Sequence, residues 1–523
     1  MTTSTAAAPS RYRLPTTVRP SHYEIELDVD LAGAVFTGWV AARVEVAEPV
    51  SEVVVNADEL VIAEAWVEAG GRRVGATVSF DAETERATFA LEGTLPAGPA
   101  TVHARFTGVL NDKLVGFYRT TFKDADGVER TAAATQFEAP HARMAFPCWD
   151  EPEFKASFGV TLVVPEGELA ISNAAEVERT PTGDGRTRYR FADTMVMSTY
   201  LVAFVVGPFE ATAPVDVAGT PLRVVYPRGQ GHLVGYGLEA GEFGLRFFED
   251  YYGIGYPGDK LDLVAVPDFA FGAMENLGCI TFREVLLLVD PTTVTQPELQ
   301  RVADVIFHEL AHMWFGDLVT MKWWNGLWLN EAFATFMEMK ATDAFRPEWQ
   351  RWVDFGLSRT MAFDTDALAS TRPIEYEVVS PADAEGMFDV LTYEKGAAVL
   401  RMVEQYLGED AFRAGVRRYL EQHSYANTET TDLWDALEAE TGQPVRGMAD
   451  SWIFQGGFPL VTASLEGSAL HLAQERFRYL DDGGPGGGGP GGGGAGTAGA
   501  RWKVPVIVRV GGREQRALLE DDG

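Results

Sequence analysis

The sequence predicts a multidomain α+β protein, and three observations carry that prediction. Short apolar and polar alternations fill Tyr23 to about Phe209; long helical periodicities fill roughly Val215 to Gln455 after one set of apolar strands; alternation returns from Val461. At 523 residues the chain exceeds what one hydrophobic core can hold. Domains are therefore expected over 1–212, 213–457 and 458–523.

In the first of these, Tyr23-Glu-Ile-Glu-Leu-Asp-Val, Val40-Ala-Ala-Arg-Val-Glu-Val and Leu201-Val-Ala-Phe-Val-Val alternate between Gly, Pro and Asp breaks. Period-two runs at short spacing mean an antiparallel β domain. In the second, Leu261–Val266 and Cys279-Ile-Thr-Phe read as strands of a mixed sheet that precedes the helices. In the third, Leu470-His-Leu-Ala and Val504-Pro-Val-Ile-Val-Arg-Val read as strands, and Gly483 to Ala500 is a Gly/Pro run expected to form a flexible surface loop.

Hydrophobic content of 46% and charged content of 23% describe an ordinary globular chain. Forty-three Lys and Arg face 76 Asp and Glu, a net charge of -33. Such an acidic surface repels phosphate backbones and anionic lipid, so neither nucleic acid nor membrane is an expected partner. The two cysteines, Cys148 and Cys279, are too few for a disulfide framework and read as reduced thiols. The first ten residues lack the basic and apolar regions of a signal peptide, and no window approaches the roughly eighteen apolar residues of a span. A cytoplasmic monomer is the expectation.

The chemistry centres on His308-Glu309-Leu310-Ala311-His312, followed by Trp328-Leu329-Asn330-Glu331. Thr295-Gln-Pro-Glu298 reads as a capping box, and Leu299, Val302, Ile306, Leu310 and Met313 recur at three- and four-residue steps until Gly316. Histidines four apart on a helix lie on one face about 6 Å apart, within reach of one ion. Among the eight histidines no other pair has this spacing. A catalytic zinc keeps three protein ligands and one open position, and Glu331, opening a second helical run to Lys340, is the best third donor. Glu309, one helical step from the ligand face, suits a general base acting on metal-bound water.

Upstream stands Gly272-Ala273-Met274-Glu275-Asn276. With the histidine motif, and with Thr135-Gln136-Phe137-Glu138, Arg143–Pro152, Tyr393-Glu394-Lys395-Gly396 and Gly457-Phe458-Pro459-Leu460, it resembles the zinc aminopeptidases of the aminopeptidase N type, a gluzincin family. The match covers nearly the whole chain in the family's order. The resemblance implies a saddle-shaped N-terminal sheet, a thermolysin-like catalytic domain, a short and incomplete C-terminal β-sandwich, and one Zn2+ held by His308, His312 and Glu331. It also implies a C-terminal helical domain that this sequence lacks.

An aminopeptidase must hold a free α-ammonium one residue from the metal, and paired carboxylates do so while fixing the register. The resemblance gives this task to Glu275 and Glu138, lines the first side-chain pocket with Gln136, Gly272, Ala273 and Met274 beside Asn276, and gives oxyanion stabilisation to Tyr393. A soft methionine there implies a broad side-chain preference. The expected substrates are peptides with a free N-terminus. Asp317 either orients a ligand histidine or is a helix-end polar residue. The competing readings are a thermolysin-like endopeptidase, which would not need Glu275 and Glu138, an epoxide-opening relative, and a non-catalytic scaffold.

Overall fold

The computed structural model describes residues 11–124, 126–479 and 500–520. Most of the Gly-rich 483–500 segment lies outside them. The chain divides into two compact units, the first running to Trp324 with Val379–Glu385 and Ser424–Asn427, the second comprising Asn325–Val378, Gly386–His423 and everything from Thr428.

In the first unit a ten-stranded sheet is built from Val18–Asp30, Val35–Val46, Val50–Asn56, Val61–Ala69, Arg72–Asp81, Arg86–Leu95, Gly98–Val109, Ser157–Pro165, Glu176–Pro181 and Arg186–Phe191. Its pairs are antiparallel, as the alternation predicts, except that Val18–Asp30 runs parallel to Ser157–Pro165. A parallel neighbour needs a long crossover, and the chain between these two strands supplies it. A second, four-stranded antiparallel sheet places Glu129–Gln136 between Gly116–Lys123 and Phe204–Gly207. Its strand ends at the Gln136-Phe-Glu138 segment.

The third sheet of this unit is mixed. Thr220–Pro227, Leu261–Val266 and Cys279–Arg283 are parallel neighbours, and the helix Gly235–Tyr252 makes the crossover between the first two. Ala273–Met274 closes one edge, antiparallel to Cys279–Arg283. The histidine helix, Gln296–His312, packs on Gly235–Tyr252 at Gly244, where a Cβ would stand 2.6 Å from Leu310 and 2.7 Å from Phe307. Glycine there sets how closely the two helices approach.

The second unit carries the helices Trp328–Phe345, Arg351–Asp366, Gly396–Leu407, Glu409–His423, Thr430–Thr441 and Val445–Ile453. Its described strands form two antiparallel hairpins, Pro459–Glu466 with Ala469–Arg476 and Val504–Val510 with Arg513–Leu519. Trp502, fully buried, joins them to the helices: Gln474 Nε2 donates to its carbonyl at 2.8 Å, and its ring lies 6.2 Å from Trp452.

Candidate metal centre

The histidine helix forms where the sequence says it should. Glu298 accepts from the Thr295 N–H at 2.8 Å and from its hydroxyl at 2.7 Å, which closes the capping box. Val302, Ile306 and Leu310 are buried along one stripe and bring Glu309 and His312 inward with them. The rings of His308 and His312 lie 4.8 Å apart, inclined at 74°. The helix ends at His312 and turns sharply, so that the Phe315 carbonyl accepts His312 Nδ1 at 2.9 Å. Donation to a carbonyl requires the proton on Nδ1, which leaves Nε2 with its lone pair for a metal. The donor set therefore fits a zinc ion.

Glu275 joins this helix from the mixed sheet. It follows the edge strand Ala273–Met274, is buried, and its Oε1 lies 3.9 Å from His312 Nδ1. Ligating atoms of Glu275, Glu309 and His312 all lie within 4.8 Å of one another. Gln136 Nε2 donates to the Met274 sulfur at 3.3 Å and to the Glu138 carbonyl at 3.3 Å, so the 136–138 and 272–276 segments meet. Glu138 is buried there, and Asn276 bonds Thr281 at 3.1 Å. The Gly272 carbonyl extends the edge pairing by accepting the Arg283 N–H at 2.9 Å, and a Cβ on this residue would meet only Leu286 at 3.4 Å. Steric need in the free protein does not explain that glycine.

Two sequence-predicted residues belong to the second unit. Glu331 stands in the first turn of Trp328–Phe345 rather than opening it, buried, with its carbonyl accepting the Thr335 hydroxyl at 2.8 Å. Tyr393, half-buried, lies in a single π-helical turn, Leu391–Lys395, a rare geometry that recurs at functional sites. The adjoining motif residues explain themselves by packing. A Cβ on Gly396 would stand 2.5 Å from that of Ala332, next to Glu331, so only glycine lets these helices pack this closely. Lys395 pairs with Asp366 at 2.8 Å, and Asp366 accepts the Gly457 N–H at 2.7 Å, which ties the Gly457-Phe-Pro-Leu segment to the tyrosine turn.

Sequence reasoning missed one residue that touches the histidine helix's exit. Lys155 Nζ donates to the carbonyls of Asp317 and Leu318, each at 3.2 Å. Asp317 itself is fully buried, and neither carboxylate oxygen has a hydrogen-bond partner. Burial first, then repulsion from Glu275 and Glu309, pushes its carboxyl well above the carboxylate range, with Lys155 opposing. Burial likewise pulls the Lys155 ammonium down to about 7, against the attraction of Asp317. No periodicity could reveal a contact across 162 residues. The histidine is oriented by the Phe315 carbonyl, the partner that the structure gives His312 in place of Asp317.

A histidine pair thus stands on a capped helix with buried carboxylates beside it, a set of groups that could hold a metal ion. The chain belongs to peptidase family M1. The profile of the Peptidase M1 N-terminal domain matches residues 19–201, and that of the Peptidase family M1 domain matches residues 236–452. The chain is 41% identical over 485 residues to Aminopeptidase M1-B of Oryza sativa subsp. japonica, covering 92% of this chain and 55% of that protein. It is 40% identical over 516 residues to Aminopeptidase M1 of Arabidopsis thaliana, covering 97% and 57%. Endoplasmic reticulum aminopeptidase 1 of Homo sapiens is 36% identical over 508 residues, covering 91% and 54%. The chain thus spans about half the length of these relatives. Among the described residues no helix is long and apolar enough to cross a membrane.

Proposed function

We propose that this chain is a zinc-dependent aminopeptidase that removes the first residue of peptides with a free N-terminus. The observation that carries the reading is the histidine pair on its capped helix with Glu309 and Glu275 beside it. His308, His312 and Glu331 hold one zinc ion in a catalytic domain spanning 213–457. When bound, the zinc supplies a Lewis acid that polarises the scissile carbonyl and acidifies water.

The chain's own groups do the rest. Glu309 takes a proton from the attacking water and passes it to the leaving amine, one carboxylate serving both steps. Glu275 and Glu138 receive the α-ammonium, and with Gln136, Gly272, Ala273, Met274 and Asn276 about the first side chain they fix which peptide bond reaches the base. The Tyr393 hydroxyl donates to the developing oxyanion. Two unpaired cysteines, Cys148 and Cys279, suit a reducing compartment such as the cytoplasm.

A panel of aminoacyl-coumarins, run with N-acetylated and chelator-treated controls, tests this reading. Release from free-amine substrates alone, abolished by the chelator, is expected. Equal cleavage of N-acetylated substrates would instead assign an endopeptidase.

A further inference from the structure

The exit of the histidine helix is held from outside its own sheet. Residues 313–320 leave the helix and supply the Phe315 carbonyl that accepts His312 Nδ1. Three side chains distant in sequence hold this loop or the residue that follows it. The Tyr200 hydroxyl donates to the Gly316 carbonyl at 3.2 Å, and Asn427 Nδ2 bridges the Pro152 carbonyl at 2.9 Å and the Met321 carbonyl at 3.1 Å. Trp324 packs on Tyr200 with rings 5.6 Å apart. The third is Lys155, just before the strand Ser157–Pro165, and it alone among these brings a cation.

That cation has a specific task. Two carbonyl oxygens, of Asp317 and Leu318, converge on its Nζ. Without this donor the two carbonyl oxygens would lose their shared partner at a largely buried position, and the loop would have reason to open. The Asp317 N–H in turn donates to the His312 carbonyl at 3.0 Å, so a shift at Asp317 is felt at the histidine.

We propose that Lys155 is a positioning residue for the metal site: its ammonium locks the 313–320 loop so that the Phe315 carbonyl keeps the His312 proton on Nδ1 and leaves Nε2 as the donor atom. The inference rests on the metallopeptidase reading above. Groups that orient a ligand histidine typically change metal affinity or activity by about 10–100-fold when removed. Lys155 acts one step further out, so the lower end applies.

The test compares Lys155→Met and Lys155→Arg in the full chain. Zinc affinity is measured by competition with a fluorescent chelator, alongside kcat and KM on an aminoacyl-coumarin. Lys155→Met is expected to bind zinc about tenfold more weakly and to lose kcat by a similar factor while KM stays within about twofold; Lys155→Arg, which keeps charge and donors, is expected to recover most of both. Unchanged zinc affinity in Lys155→Met overturns the proposal, as does an arginine variant no better than the methionine one. Should Lys155→Met yield no folded chain, Lys155→Gln takes its place with the same readings. An unaltered chain that binds zinc but releases no coumarin removes the aminopeptidase reading and leaves the zinc comparison standing.

Discussion

The two helices that carry the proposed ligands are built on opposite plans. Gln296–His312 is amphipathic, closed at its start by a capping box and exposed through its first turn. Trp328–Phe345 has no side-chain cap, and of its 18 residues only Ala344 is exposed. Even its lysine is enclosed, Lys340 pairing with Glu404 at 2.8 Å and Glu409 at 2.6 Å. The first helix is specified by its own sequence, the second by what surrounds it. A ligand can be placed either way, but the two placements fail differently.

The sharpest separation of chemistry from scaffold lies on the first helix. Glu309→Gln is expected to lower kcat by about 10²–10⁴-fold, equivalent to roughly 3–5 kcal/mol of barrier, with zinc content and melting temperature unchanged. A parallel loss of zinc in that variant would mean that Glu309 serves the fold and not the reaction. On the second helix the order reverses, because its surroundings and not a cap support it. Phe336, fully buried against Phe333, Phe412 and Trp352, is expected on truncation to alanine to destabilise the chain by about 3–5 kcal/mol in chemical denaturation.

Gly396→Ala probes the same helix from its neighbour. The added methyl meets the Ala332 Cβ at 2.5 Å, so about 1–3 kcal/mol of stability should be lost, although alanine is the better helix former. A stabilised variant would show that the two helices have room to part. The smallest effect belongs to the cap: Thr295→Ala should reduce stability by about 1 kcal/mol near neutral pH. Hydrogen bonds from Thr295 hold Glu298 below its ordinary range. A carboxyl depressed by folding contributes above its unfolded value and loses that contribution as pH falls through its folded value. The difference between variant and parent should therefore shrink in acid, which thermal melts at several pH values would reveal.

This contrast also explains what could be read from the sequence. The histidine helix was legible in full, since its cap, its stripe and its histidine pair are all local patterns. The antiparallel sheets were legible by alternation, but the parallel pairing of Val18–Asp30 with Ser157–Pro165 was not, because register between distant strands leaves no local mark. Glu331 is proposed as a donor from its distance to the histidines in the sequence, and its helix begins three residues earlier than its pattern suggested, at Trp328. Glu138 and Tyr393 enter the proposed site only by family resemblance. Lys155 was visible as a letter beside a recognised motif, yet its partners lie in another segment, and only the folded chain brings them together.

A helix without a wet side has no inexpensive way to open. The amides of Gln296–Gln300 can exchange with solvent through fraying of one exposed turn, in a small fraction of the time that global unfolding takes. Those of Trp328–Phe345 have no such local route, and their deuterium uptake should report the opening of the whole second unit. Glu331 therefore sits on one of the slowest clocks in the molecule, while the histidines that share its proposed task end a helix whose beginning ticks fast.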